Sequence, residues 1–240
     1  MYLPSFKFLS SCSTASMAPT YWVFWDLDGT LFKFAHSLEE TRDFANYPHF
    51  TKMSHPLLRC YIYMIYLEST RKVFKILLDL MHVRIAFITN ASYKNMSKIL
   101  EDLLALPIDS LKNCPYINGA KYQAKYYGIK ALQLKALVGH VISKQDFVLL
   151  VDNMLDQVEG AFQYNFAAIL AQGCAGEIDD SGNLITYVPS QIYLAKIVEV
   201  ITQKIDEEDE LRASERRGFT LTHAKINYGF GKNSLRPYFA

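Results

Sequence analysis

The sequence predicts an α/β protein, a three-layer sandwich in which a mostly parallel sheet carries helices on both faces. Three observations predict it. Short apolar runs of strand length alternate with stretches whose apolar residues recur at helical spacing. No internal repeat interrupts that alternation. Polar residues stand directly after three of the strand-like runs, at Asp26, Thr89 and Asp152, where parallel α/β sheets place their ligands. With 240 residues, half of them apolar and 20% charged, the chain suffices for one large domain with a small insert or tail.

The elements follow in order. Residues 1–20 hold one lysine and a serine-broken apolar stretch. They lack the basic start and solid apolar middle of a signal peptide, and read as a flexible leader, with a targeting segment as the alternative. Trp22 to Leu27 reads as a buried strand ending at the Gly29-Thr30 turn. Within residues 33–70, SLEETRDFAN reads as helical and CYIYMIYLES as apolar, so a small helical cap or insert is expected there. Lys72 to Met81 has helical spacing. Arg84 to Thr89 is a second strand, and Asn90-Ala-Ser92 after it is a helix-start sequence. The stripe Met96, Ile99, Leu100, Leu103, Leu104 predicts one buried helix face, closed by Pro107. CPYING is a candidate short strand, Lys130 to Val138 a helix, and Asp146 to Val151 a third strand stopping at Asp152. A helix to about Gln163, a strand over Phe166 to Ala171, a turn at Asp179–Gly182 and a helix over Tyr193 to Ile205 complete the core, residues 21–205. From Asp206 the composition becomes charged, so residues 206–240 read as a tail that begins on a solvated helix face and ends loosely ordered.

Composition narrows the function. A net charge of +1 offers no global field for nucleic acid or an acidic membrane, so no nucleic-acid partner is expected. No apolar run reaches the roughly 18 residues of a membrane span, which predicts a soluble, cytoplasmic protein or one exported as an effector. The four cysteines form no C-x-x-C pair and read as reduced thiols. The six histidines show no ligand spacing. The sequence does not set the oligomeric state.

The strand ends carry the chemistry. Residues two apart on an extended chain point the same way, so Asp26 and Asp28 are expected to share a pocket, joined by Asp152 from a neighbouring strand. Three like charges in a small volume need a proton or a cation among them. Oxygen ligands without nearby His or Cys favour Mg²⁺. Thr89 adds a hydroxyl, the Asn90 to Ser92 helix start adds free amides, and Lys130 adds a positive charge. Carboxylates, a hard cation, amides and a lysine together describe phosphoryl transfer. Taken singly, Asp28-Gly29 is an ordinary turn pair, and Thr89-Asn90 and Asp152-Asn153 are ordinary caps. Their convergence on three strand ends argues against that plainer reading.

The segment WVFWDLDGTL resembles the D-x-D-G-T motif of the haloacid dehalogenase-like superfamily of phosphohydrolases, whose core is Rossmann-like. FITN, a helix-opening lysine and LLVDNMLDQV resemble its other motifs, in order, over about residues 21 to 172. The lysine and the VDN strand end are similar to those of a bacterial group that includes secreted effector phosphatases. The resemblance implies Asp26 as nucleophile and Asp28 as general acid and base. It implies Thr89 and Lys130 on the phosphoryl group, and Asp26, Asp152 and the Asp28 carbonyl around Mg²⁺. Asp156 or Asn153 would stand behind the metal site. Lys125 and Lys135 compete with Lys130. A small cap would leave the site open to phosphoproteins; a sugar or nucleotide phosphatase and a catalytically degenerate binding or scaffold module are the alternatives.

Overall fold

The computed structural model describes residues 18–90, 94–118, 129–171, 177–178, 184–185 and 191–216. Most of the expected leader and tail, Lys125, Ser92 and the Asp179–Gly182 turn lie outside the described residues. At the centre is β1 (Tyr21–Trp25). It pairs in parallel with β5 (Val83–Thr89) on one side and β7 (Phe147–Asp152) on the other. Outside these lie β6 (Tyr116–Asn118) and β8 (Ala167–Leu170), also parallel, giving the order β6-β5-β1-β7-β8. All five residues of β1 are buried, because helices cover both sheet faces and no side of the strand meets water.

The two faces have separate cores. Tyr21, Val23 and Trp25 pack with residues of α2 (Leu67–Asp79), α3 (Met96–Leu103) and α6 (Ile192–Arg216). Phe24 and Trp22 point the other way, toward α4 (Lys130–Leu137) and α5 (Leu155–Gln163). The Trp25 and Phe74 rings meet at 5.0 Å between β1 and α2. Truncating a ring so buried costs about 3–5 kcal/mol. The chain winds outward from β1 through β5 to β6, then returns to β7 and β8. That reversal puts the switch point, where such sheets bind ligands, at the carboxyl ends of β1 and β7.

Residues 32–65 depart from the expected helical insert. They form β2 (Phe32–Ala35), one short helix α1 (Leu38–Ala45), β3 (Phe50–Met53) and β4 (Tyr61–Ile65), with the strands in an antiparallel sheet ordered β2-β4-β3. Ile62 and Met64 of β4 join the main core while Tyr63 packs against Phe44 and Phe50. Buried on both faces, the strand shows no alternation, and an apolar run without alternation does not distinguish strand from helix. The Ser37 hydroxyl and the Glu40 carboxylate cap α1 reciprocally.

Two helix boundaries also move. Helix α2 starts at Leu67 and ends at Asp79, ahead of the expected Lys72–Met81. Helix α6 runs unbroken past Ile205 to Arg216. Its acidic run consists of good helix formers with Lys204 and Glu207 paired at i,i+3, so the change in composition does not end the helix. Two short strands, β9 (Glu177–Ile178) and β10 (Leu184–Ile185), pair antiparallel. Among the described residues no helix is long and apolar enough to cross a membrane.

Candidate active site

Asp26 follows the last residue of β1, and its N–H donates to the Val151 carbonyl of β7 at 2.9 Å. Asp152 is the last residue of β7. Between them stands Lys130, the first residue of α4. Its ammonium donates to Asp26 Oδ1 and to Asp152 Oδ2, each at 2.6 Å. The exposures of 4% for Asp26, 3% for Lys130 and 0% for Asp152 place all three charges out of water. Burial works against the Lys130 charge, but Asp26 and Asp152 outweigh it and hold its pKa above the ordinary value. Burial pushes Asp152 up to about 6, with Lys130 pulling the other way and Asp26 adding to the rise. A lysine opening a helix sits at the unfavourable end of the macrodipole; the two carboxylates compensate it.

Several contacts fix this group. The Thr30 hydroxyl accepts from the Asn153 N–H at 3.0 Å and lies 2.9 Å from Asp26 Oδ2, to which it donates. The Asn153 side-chain oxygen, a second acceptor for the same proton, lies at 3.3 Å. Gly29 has φ +88°, and a Cβ there would stand 2.5 Å from Asn153 Nδ2; only glycine lets this turn close against Asn153. Asp152 Oδ1 accepts from the Met154 N–H at 2.9 Å. Gln157 Oε1 accepts from the Lys130 N–H at 3.0 Å, and the exposed Asp156 carboxylate accepts from the backbone and side-chain nitrogens of Gln157 at 2.9 and 3.2 Å. Asp156 therefore reaches Lys130 at one remove, through Gln157. The Asn90 side-chain oxygen accepts from Gln133 of α4 at 3.4 Å, tying the end of β5 to the helix that carries Lys130.

Three expectations change. Asp28 does not join Asp26 and Asp152 as a third buried carboxylate: its side chain is half exposed and lies 3.6 Å from Lys33 Nζ. The regular strand ends at Trp25, and the Thr30, Leu31 and Phe32 N–H groups all fold back on the Leu27 carbonyl. The two-residue alternation is lost before Asp28. Accordingly, among the described residues no group of three His, Cys, Asp or Glu side chains is set to hold a metal, and the cation between the two buried carboxylates is Lys130. The helix after β5 starts at Met96, with Asn95 as its cap, not at Asn90. Of the competing lysines, Lys135 is exposed and sits over the Tyr164 ring at 4.7 Å.

Thr89 is buried at the last position of β5, in register with the equally buried Asn118 of β6. Thr30, Asn118 and Gln157 were not singled out from sequence. Thr30 had a signal, since it closes the D-L-D-G-T stretch; Gln157 had none, because its partner is 27 residues away.

The oxygens present suit a hard divalent ion. Among the described residues Asp26 and Asp152 set two carboxylates against the Lys130 ammonium, and Mg²⁺ is commonly bound by one or two carboxylates, its other positions going to water and phosphate. The Asp28 main-chain carbonyl is a third oxygen in the same turn.

No family model and no curated protein matches the sequence. Solved structures with similar folds include Fcp1, an essential RNA polymerase II CTD phosphatase, at 12% identity and TM-score 0.41, covering 75% of this chain and 49% of that one. The chain thus spans about half the length of that protein. The Legionella pneumophila effector Ceg4 is similar at 10% identity and TM-score 0.43, covering 80% and 99%. A fission yeast Fcp1 variant bound to beryllium fluoride is similar at 11% and 0.43, covering 83% and 66%. Likenesses this distant assign no activity to the chain.

Proposed function

We propose that the chain is a Mg²⁺-dependent phosphohydrolase that cleaves phosphate monoesters through an aspartyl-phosphate on Asp26, with Asp28 as general acid and base. The observation that carries the reading is the Lys130 ammonium held between two buried carboxylates at the ends of adjacent strands. Burying two acids and a lysine at the switch point of a parallel sheet is costly, and a phosphoryl group that needs charge neutralisation there is a reason to do so.

An Asp26 oxygen attacks phosphorus in line. The bond from phosphorus to the leaving oxygen breaks, and Asp28 gives that oxygen its proton. Asp28 then takes a proton from water, the water oxygen attacks the same phosphorus, and inorganic phosphate leaves with Asp26 regenerated. The Thr30 hydroxyl has one proton and two acceptors within reach, Asp26 Oδ2 and Asn153 Oδ1. Turning it toward Asn153 releases Oδ2 for attack while the Asn153 N–H still holds the Thr30 oxygen. Lys130 keeps the other Asp26 oxygen in place and offsets charge on the phosphoryl group, which Thr89 and Asn90 flank. Asp26, Asp152 and the Asp28 carbonyl would hold Mg²⁺, which when bound supplies positive charge between the nucleophile and the phosphate. Phosphorylated proteins and small molecules are both candidate substrates.

The test is hydrolysis of p-nitrophenyl phosphate with Mg²⁺ and with EDTA. Activity that EDTA removes and that Asp26→Asn abolishes is expected; an Asp26→Asn protein as active as wild type overturns the mechanism. Phosphate binding without turnover would make the chain a binding module instead.

A further inference from the structure

A cleft of about 560 Å³ opens beside Asp28, between the end of β1 and the inserted sheet. Resting on the phosphohydrolase reading, we infer that this cleft receives the leaving group and that the leaving group is an aromatic ring, so that the substrate is the phosphate ester of a phenolic hydroxyl carried on a peptide. Asp28 lines this cleft, and in the proposed reaction it is the acid that protonates the leaving oxygen. A residue that protonates the leaving oxygen must stand on the side where the leaving group extends, which directs that group into the cleft.

The walls define its chemistry. Phe34, Phe44 and Leu58 supply apolar surface. The Phe34 ring is held by Phe32 at 5.0 Å and by His36 at 6.0 Å, and the Phe44 ring by Phe50 and Tyr63 at 5.3 and 5.2 Å. Flat apolar walls so braced lose little entropy on binding a ring, and paired rings gain from offset or edge contact.

Two of the charged groups in the cleft already have partners, and His36 and Cys60 are its other polar walls. Lys33 lies 3.6 Å from Asp28. The Glu40 carboxylate accepts the His36 and Ser37 N–H groups at 2.6 and 3.2 Å to cap α1. Among the described residues, no Asn, Gln, Ser or Thr lines the cleft. A sugar or nucleoside would bring several hydroxyl and ring-nitrogen groups against few side chains that could pair with them, and stripping such groups of water without partners is penalised. A phenolic ester brings one polar oxygen, at Asp28, and an apolar ring behind it. The cleft is larger than a single ring and opens to solvent, which suits a ring borne on a chain.

The experiment compares kcat/KM, with Mg²⁺, for a phosphotyrosine peptide, the same peptide bearing phosphoserine, and glucose 6-phosphate. The phosphotyrosine peptide is expected to be favoured by at least about tenfold. Phenolic esters are intrinsically more reactive, so calorimetric binding of the two peptides to Asp26→Asn provides a reading free of chemistry, with the same order expected. In Phe34→Ala the phosphotyrosine preference should fall about fivefold or more, and Phe34→Leu should recover part of it; the wild-type comparison stands even if either variant melts early. Similar kcat/KM for all three esters overturns the aryl assignment and leaves the phosphohydrolase reading standing. Hydrolysis of none overturns that reading, and the inference with it.

Discussion

Replacing Lys130 with methionine removes the ammonium held between Asp26 and Asp152 while keeping an unbranched side chain of similar length. Both partners are at least 95% buried and each sits 2.6 Å from the ammonium. Breaking a buried ion pair by deleting one member leaves uncompensated charge behind and costs about 3–5 kcal/mol. For a chain of this size that corresponds to about 6–20 °C in Tm. The measurement is urea unfolding of wild type, Lys130→Met, Asp152→Asn and the double variant, in EDTA so that no divalent ion takes the place of the ammonium. Asp152→Asn leaves Lys130 paired with Asp26 and is expected to lose far less. The double variant, with one carboxylate left and Thr30 donating to it, should be more stable than Lys130→Met alone, a coupling the cycle reads directly. Lys130→Met within about 1 kcal/mol of wild type would refute the reasoning, because the two carboxylates would then be compensated by something other than Lys130. Turnover should also be lost in Lys130→Met, since the charge that offsets the phosphoryl group is gone.

Two further outcomes follow from the geometry. Gly29→Ala forces an L side chain into φ +88° with its Cβ 2.5 Å from Asn153 Nδ2; a loss of about 1–2 kcal/mol from the backbone alone, plus weaker phosphatase activity as Asn153 is displaced from Thr30, is expected in thermal melts and assays. Asp102 on α3 accepts from His55 Nε2 at 2.8 Å, with His55 Nδ1 accepting the Leu57 N–H, so the pair fastens the inserted sheet to the core. The His55 hydrogen bond, aided by Lys98, holds the Asp102 carboxyl below its ordinary 3.8. A depressed carboxyl stabilises above its unfolded pKa and loses that contribution as pH falls through the folded one. The Tm deficit of Asp102→Ala should therefore be full at about pH 5 and shrink below 3.8; a deficit unchanged in acid would show that packing, not charge, is what Asp102 supplies.

Much of the fold was legible in local sequence. Runs such as Tyr21–Trp25 and Phe147–Asp152 are buried on both faces, so their unbroken apolar character marks parallel strands. Helical stripes such as Met96, Ile99, Leu100 and Leu103 mark the layers that cover them. The inserted sheet was not legible, because β4 is also buried on both faces and its flanks gave no hairpin turn. The charged run after Ile205, expected to be a solvated helix face, continues α6 to Arg216, since charged residues are good helix formers.

The sequence by itself determined which side chains stand at the strand ends, since strands alternating with helices imply a parallel sheet, whose carboxyl ends put Asp26, Thr89 and Asp152 on one rim. It did not determine how those side chains meet. Period-two alternation holds only while the strand continues, and the Leu27 carbonyl ends it one residue before Asp28. That turn sends Asp28 outward to Lys33 and the cleft, and leaves Lys130, from a helix 104 residues away in sequence, as the cation between Asp26 and Asp152. Contacts across such separations depend on where a helix lands on the sheet, and only the tertiary structure decides that.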